Sequence, residues 1–169
     1  LGSIVMYQYI QQERYATQQI DRSAEETAHF RAEQVSSFLS KAFVNVHSMK
    51  EFLGSDYEVL GKNKINGFLR SVLKSQDIFL GVWTCWEDFK DAGPFTSYWY
   101  RDGGGFAEME LKDFRSAEWY TKPKQTGETV ILEPFEYELA SGKKVMMTTV
   151  SAPIQGNDGA VLGVAGIDI

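Results

Sequence analysis

One acidic residue stands in an otherwise apolar segment near the end of the sequence. The segment Gly163–Ile169 consists of Gly, Val, Ala and Ile apart from Asp168. This composition predicts a buried strand, and a carboxylate inside it costs free energy unless cations or hydrogen-bond donors surround it. The partner of this carboxylate is either a group of the protein, such as a lysine, or a ligand. Asp168 is therefore the first residue of the sequence that could carry binding chemistry.

Aromatic residues make up 14% of the sequence, and several could surround this carboxylate. Core packing alone would explain any single one of them. Together with a buried carboxylate they predict a cage for a small polar ligand. An ammonium group suits such a cage, because it combines a charge-assisted hydrogen bond with a cation–π contact. The predicted ligand-binding residues of the cage are Tyr98, Tyr100, Trp119, Tyr120, Phe135, Tyr137 and Asp168.

The residues that catalytic and metal sites commonly use are few and widely spaced. The two histidines, His29 and His47, fall in one predicted helix and are separated by about 27 Å along its axis. The single cysteine, Cys85, cannot form an internal disulfide or a thiolate-rich metal site and is predicted to be buried in a strand. The run Asp102-Gly-Gly-Gly105 lacks the lysine of a phosphate-binding loop. We predict that the chain is not an enzyme and holds no cofactor or metal.

Composition and charge place the chain among folded domains. Its 169 residues are 43% hydrophobic and 24% charged, which suits one domain with its own core. The net charge is −6 and the basic residues form no run, which argues against a nucleic-acid partner. Residues 1–6 are apolar but too few to span a bilayer. They predict either the last turn of a membrane-spanning helix or an unrelated start of the chain.

A long helix is predicted at the N-terminus. From residue 5 to residue 52 there is no proline and no glycine, and apolar or small residues recur at alternating steps of three and four. A helix of about 45 residues would be about 70 Å long, which exceeds the needs of one small domain. Its first third, residues 8–22, is so polar that a partner helix is needed to stabilise it. We therefore predict parallel pairing of this helix in a homodimer.

The remaining sequence predicts one antiparallel sheet. A shorter helix is predicted at residues 62–74, and a short helix or turn at 116–122. The connections Ala140–Lys143 and Gln155–Gly159 carry the residues that hairpin turns need. The predicted fold class is α+β, with the long N-terminal helix packed on a five-stranded antiparallel sheet. The five predicted strands are residues 78–86, 96–101, 130–138, 144–153 and 160–169.

The order of these features resembles the Cache domains, which are extracellular PAS-like sensor domains of bacterial chemoreceptors, sensor histidine kinases and diguanylate cyclases. The resemblance covers nearly the whole chain and is closest to the membrane-distal module of double-Cache domains. Its most specific part runs from Trp119 to Asp168. The segments that carry it are Trp119-Tyr120, Glu133-Pro-Phe135, Ser141-Gly-Lys-Lys144, Thr148-Thr-Val-Ser-Ala-Pro-Ile154 and Gly163-Val-Ala-Gly-Ile-Asp168.

The resemblance also implies roles for individual residues. In amino-acid-binding relatives the terminal acid, here Asp168, binds the ligand ammonium, and an arginine two residues before the tryptophan binds the ligand carboxylate. Here Ala117 occupies that arginine position, with Arg115 two residues earlier, and Phe135 replaces a usual tyrosine. The amine half of the site is therefore kept and the acid half is altered, which favours an amine over an amino acid. Arg101 is added to the predicted site as an alternative partner for a ligand carboxylate.

The function implied by the resemblance is extracytoplasmic sensing of a small molecule. Residues 1–54 would form a signalling and dimerisation helix, and residues 55–169 the PAS-like sensor module. The signal would pass along the long helix to transmembrane segments that flank this chain. The alternative is a ligand-free dimerisation or interaction module of a membrane receptor, in which the long helix is the working part.

Overall fold

The computed structural model describes residues 2–139 and 142–169, and the side chains of these residues except 2–11, 16 and 17. The chain divides into two compact units, Leu1–Ser37 and Phe38–Ile169. The first unit is helical throughout its described residues, and its described side chains are exposed except for that of Gln34, which is partly buried. The predicted division of the chain into a signalling helix, residues 1–54, and a sensor module, residues 55–169, concerns function and stays a prediction.

The second unit contains the sheet and the helices that cover it. The predicted long helix is confirmed as α1, Gly2–Ser55, whose residues from Phe38 onward belong to this unit. Two shorter helices, α2 (Lys62–Ser75) and α3 (Glu118–Thr126), and a 3-10 turn (Phe114–Ser116) follow. The strands are β1 (Gly81–Trp86), β2 (Phe95–Asp102), β3 (Gly105–Met109), β4 (Val130–Ile131), β5 (Phe135–Glu138), β6 (Lys144–Met147), β7 (Thr149–Gln155) and β8 (Val161–Asp168).

The predicted α+β architecture with an antiparallel sheet is confirmed, but the sheet has six strands in the order β3-β2-β1-β8-β7-β4. The strand β3 was missing from the prediction because its short sequence is ambiguous. Two predicted strands are each divided, since β5 and β6 leave the main sheet and pair with each other as a separate hairpin. The first division falls at Pro134, which has no N–H to donate to a ladder. The predicted turn Ala140–Lys143 includes two residues outside the described part.

One face of the sheet is covered by α2 and by the part of α1 that lies in this unit. The predicted apolar positions of α1 are buried from Ala42 onward. They pack with α2 and with the sheet residues Val82, Trp86 and Ile167 in one hydrophobic core. α1 approaches β7 so closely that a Cβ at Gly54 would lie 2.1 Å from the carbonyl oxygen of Gln155. Backbone packing at this point therefore requires glycine.

The opposite face carries a second, smaller hydrophobic core. It lies beneath α3, the 3-10 turn and the β5–β6 hairpin, and contains Trp83, Cys85, Tyr98 and Val164. The predicted burial of Cys85 is confirmed, and burial raises the pKa of its thiol. Both histidines are exposed on α1. The candidate site lies within this second core.

Candidate ligand-binding site

Asp168 occupies the end of a central strand, where three strands meet. On β8 it lies opposite Gly81 of β1 on one side and Thr149 of β7 on the other. Side chains alternate along β8, so Asp168 shares its face with Val164 and Gly166 and projects into the second core. Only 2% of the residue is exposed. The chain therefore buries a carboxylate beneath an aromatic layer.

Two neighbouring side chains donate hydrogen bonds to this carboxylate. The Thr149 hydroxyl donates to Oδ1 at 2.6 Å, and the Trp83 indole N–H donates to the same oxygen at 3.3 Å. No ion pair joins Asp168 to a lysine or arginine among the described residues. In this part of the chain no internal lysine fills the role of a counter-ion.

Burial dominates the protonation equilibrium of Asp168. Removal from water raises the pKa of its carboxyl to about 6, although hydrogen bonding from Thr149, from Trp83 and, in poor geometry, from Tyr98 lowers the pKa in part. Burial, together with the negative charge of Asp168, raises the pKa of Tyr98 above its usual range. The Tyr98 hydroxyl itself makes no hydrogen bond of ordinary geometry. The Asp168 carboxylate and the Tyr98 hydroxyl can therefore each form a further hydrogen bond inside the core.

A small cavity lies against Asp168. Its volume is about 10 Å³, which is room for a group the size of one water molecule. Its walls are mostly aromatic or apolar, and Asp168 is its only charged lining residue among those described. The lining residues are Trp83, Tyr98, Leu111, Trp119, Tyr137, Met147, Thr149 and Asp168.

Four of the predicted site residues lie together around this cavity: Tyr98, Trp119, Tyr137 and Asp168. Tyr100 is buried behind them, with its ring stacked on that of Tyr98 at a centroid distance of 5.4 Å. Tyr120 does not line the cavity, and its ring packs against that of Phe114 at a centroid distance of 4.9 Å. Phe135 lies on the hairpin opposite Met147 and does not line the cavity.

The structure does not bring Arg101 to the cavity. Tyr98 and Tyr100 share one face of β2, so Arg101 faces the other side, toward α2. Its guanidinium donates hydrogen bonds to the carbonyl oxygens of Leu73, Gln76 and Phe79. These bonds satisfy carbonyl groups at and beyond the end of α2. Arg101 therefore serves the fold on the opposite face of the sheet and is removed from the candidate site.

Four further cavity residues were not predicted: Trp83, Leu111, Met147 and Thr149. A signal for Trp83 exists in the glycine at position 166, which lies directly opposite it in the sheet. A Cβ at Gly166 would lie 2.1 Å from the Trp83 ring, so the indole occupies the space of the missing side chain. This signal can be recognised only from the register between β1 and β8, which places Trp83 opposite a residue 83 positions later in the chain.

The helix α3 positions Trp119, one of the aromatic residues that line the cavity. Its second residue, Trp119, meets the Trp83 ring edge-on at a centroid distance of 4.6 Å. Further along the helix, Lys124 forms an ion pair of 2.5 Å with Glu87, which follows β1. This contact lowers the pKa of Glu87. The ion pair and the two indoles therefore fix α3 above the end of β1.

The buried carboxylate predicts an unusual pH dependence of stability. Because the folded state raises the pKa of Asp168 from 3.8 to about 6, the native protein binds more protons than the unfolded chain between these values. Stability is therefore lost as the pH rises through this window, by about 3 kcal/mol in total. The substitution Asp168→Asn removes this loss.

Urea unfolding of both proteins at about pH 4 and about pH 7.5 measures the effect. The stability advantage of Asp168→Asn over the original chain should grow by about 2 kcal/mol from the lower to the higher pH. The difference between the two proteins cancels the contributions of other carboxyl groups, such as Glu87. An advantage that is equal at both pH values would contradict the raised pKa.

None of the helices in the described part of the chain is long and apolar enough to cross a membrane. Nor do the described residues contain a group of three or more His, Cys, Asp or Glu side chains placed to hold a metal ion. The groups that line the cavity and can bond to a ligand are the Asp168 carboxylate, the hydroxyls of Tyr98, Tyr137 and Thr149, and the aromatic rings.

Known proteins similar to this chain are bacterial receptors. Over 92 residues the chain is 33% identical to the methyl-accepting chemotaxis protein TlpQ of Pseudomonas aeruginosa, in an alignment that covers 47% of this chain and 13% of TlpQ. The fold is similar to that of methyl-accepting chemotaxis protein X, with a TM-score of 0.78, 23% identity and coverage of 87% of this chain and 61% of that chain. This chain therefore spans only a part of each of these proteins.

A further solved structure similar to this chain contains an amino acid. It is the ligand-binding domain of the Campylobacter jejuni chemoreceptor Tlp3 in complex with L-valine, with a TM-score of 0.60, 17% identity and coverage of 80% of this chain and 53% of that chain. Residues 65–169, which include every residue that lines the cavity, match the family described as "Methyl-accepting chemotaxis protein-like, first PDC sensor domain". The chain therefore belongs to this family of sensor domains.

Proposed function

We propose that the cavity at Asp168 binds the ammonium group of a small amine and that this binding is the sensory event. The observation that carries the proposal is a carboxylate that is 2% exposed and has hydrogen-bond donors but no cation among the described residues. A buried carboxylate of this kind is costly until a positive charge joins it. A ligand ammonium would provide that charge together with a strong hydrogen bond.

The aromatic walls support a cationic ligand as well. Trp83 and Trp119 stand edge to face, and Tyr98 and Tyr137 do the same at a centroid distance of 6.4 Å. The faces of aromatic rings attract cations, most strongly when water is excluded. Apolar Leu111 and Met147 complete the wall.

An amine fits these residues better than an amino acid. Tlp3, which was solved with L-valine, shares the fold, but an amino acid brings a carboxylate that needs its own cation. Among the described residues, no arginine or lysine lines the cavity. Arg101 faces α2, and the guanidinium of Arg115 lies against the ring of Phe114 at 4.9 Å. An amino acid would therefore place its carboxylate in apolar surroundings.

The wider setting that we propose is a double-Cache receptor of the bacterial envelope. The chain would lie outside the cytoplasm, between transmembrane segments, and ligand binding would shift the population of two helix arrangements. Support comes from the family match, from the resemblance and from the polar, exposed helix of the first unit. The apolar residues Ile20, Phe30 and Val35 are exposed on that helix. Pairing with a second copy of the chain would bury them.

The exposed apolar residues also favour the second candidate, a ligand-free dimerisation module. A double substitution, Trp119→Ala with Asp168→Ala, distinguishes the two. If the chain is a sensor, the original protein responds to ligand, and the double variant loses this response but keeps its dimer. If the chain is a pure interaction module, neither protein responds to ligand and both dimerise. Analytical ultracentrifugation beside a thermal-shift titration measures both properties on the same protein.

A thermal-shift screen of amines, amino acids and small carboxylates at millimolar concentration tests the proposed function. A compound at a hundredfold excess over its Kd stabilises the folded chain by about 2.7 kcal/mol, which gives a clear rise in melting temperature. We expect stabilisation by amines alone. Stabilisation only by carboxylates would contradict the proposal and direct attention to Arg115, and no response to any class would favour the interaction module.

A further inference from the structure

We propose that the site distinguishes ammonium ions by their N–H groups. It accepts an unmethylated ammonium, which donates one hydrogen bond to Oδ2 of Asp168 and a second to the Tyr98 hydroxyl oxygen, and it rejects quaternary ammonium ions. This inference rests on the proposed amine binding and specifies the class of amine. Tyr98 thereby becomes a specificity-determining residue, and Thr149 and Trp83 become positioning residues.

The first observation is the asymmetry of the Asp168 carboxylate. The donors Thr149 and Trp83 both bond to Oδ1, at 2.6 Å and 3.3 Å. Among the described residues no hydrogen bond of ordinary geometry ends on Oδ2. A carboxylate oxygen accepts about two hydrogen bonds, so the acceptor left for a ligand is this second oxygen. Because Oδ1 is held from two sides, the direction of Oδ2 is fixed before a ligand arrives.

The second observation is independent and concerns Tyr98. This residue is 1% exposed and lines the cavity, yet among the described residues its hydroxyl makes no hydrogen bond of ordinary geometry. The ring is held by Tyr100, which stacks on it, and by the backbone at Gly81, where a Cβ would lie 2.4 Å from the Tyr98 hydroxyl oxygen. Buried hydroxyls without a well-aligned hydrogen-bond partner are rare in folded proteins. A ligand N–H would supply such a partner to the hydroxyl oxygen.

The size of the cavity agrees with these two acceptors. A volume of about 10 Å³ holds one group the size of water, and an ammonium group without methyl substituents has this size. A trimethylammonium group is larger and has no N–H, so it would leave both acceptors unsatisfied in a buried site. The aromatic wall alone would attract both kinds of ion. Selectivity must therefore come from the hydrogen bonds and the space.

The test compares two matched probes, n-butylamine and n-butyltrimethylammonium, by isothermal titration calorimetry of the whole chain at about pH 7.5. We expect n-butylamine to bind at least about a hundredfold more tightly than its quaternary counterpart, because two hydrogen bonds and the fit are lost. The substitution Tyr98→Phe should weaken binding of n-butylamine about tenfold. It should leave the affinity for the quaternary ion unchanged.

The substitution Tyr100→Phe is the matched control, because Tyr100 is buried beside Tyr98 on the same strand face but does not line the cavity. This variant should keep the full preference for n-butylamine. Equal affinity for the two probes, or an unchanged preference in Tyr98→Phe, would overturn the inference while the proposed amine binding survives. Absence of binding by both probes would contradict the proposed function itself.

Discussion

The chain with Asp168→Asn should no longer bind amines. Asparagine has the same size and can still accept the hydrogen bonds from Thr149 and Trp83, but it carries no charge to attract an ammonium ion. Loss of one partner from a buried charge pair costs about 3–5 kcal/mol, which weakens binding by at least about a hundredfold. Calorimetric titration with an amine that stabilises the original chain measures this loss.

The control for this experiment is Asp91→Asn. Asp91 is an exposed loop residue with φ of 58°, a conformation that asparagine also tolerates. The control removes the same charge from the chain as a whole and should bind the amine as the original chain does. If Asp168→Asn retains the original affinity while folded, the charge of Asp168 is not what the ligand recognises, and the site proposal fails.

The second large effect is expected from Gly166→Ala. The added Cβ would lie 2.1–2.7 Å from ring atoms of Trp83, which cannot move freely because it also contacts Trp119 and Asp168. Overpacking of this kind typically costs about 1–3 kcal/mol. Displacement of the indole would also remove one of the two donors that hold Asp168. We therefore expect both a lower free energy of unfolding and weaker amine binding.

Chemical denaturation of Gly166→Ala beside Gly67→Ala checks this prediction. Gly67 lies on the exposed side of α2, and nothing lies within 4 Å of a Cβ at that position. In a helix, replacement of glycine by alanine stabilises by about 0.5–1 kcal/mol. The two substitutions should thus have opposite signs. A Gly166→Ala variant with unchanged stability and normal amine binding would contradict the prediction, because it would show that neither property depends on the packing of Trp83 against Gly166.

The positions of several site residues could be predicted from the sequence because their signals are local. Asp168 was identified because an acid in an apolar strand has no local explanation. The alternation of β2 places Tyr98 and Tyr100 on one face, and the same rule places Arg101 on the other. The charge of Arg101 and its closeness in sequence to Tyr100 favour a place in the site, but strand alternation excludes it from the face that carries Tyr98 and Tyr100.

Other site residues depend on pairings between distant parts of the chain. Thr149 reaches Asp168 because β7 lies beside β8 in a register that sets these two residues opposite each other. Trp83 lies on β1, which pairs with the other edge of β8, and Leu111 reaches the cavity from the loop after β3. Nothing in the types of these residues marks them as parts of one site. A shift of one residue in any of these registers would turn the side chains to the other face.

The sequence by itself therefore determined the α+β class, the long helix and the presence of a carboxylate that needed a partner, because each follows from a periodicity or a composition within one segment. The tertiary structure alone decided which side chains surround that carboxylate. It also decided that Arg101 binds carbonyl groups near the end of α2 and that both donors to Asp168 share one oxygen. The physical reason is that strand register and helix docking are set by burial summed over the whole core, whereas propensity and alternation act only between neighbours in the chain.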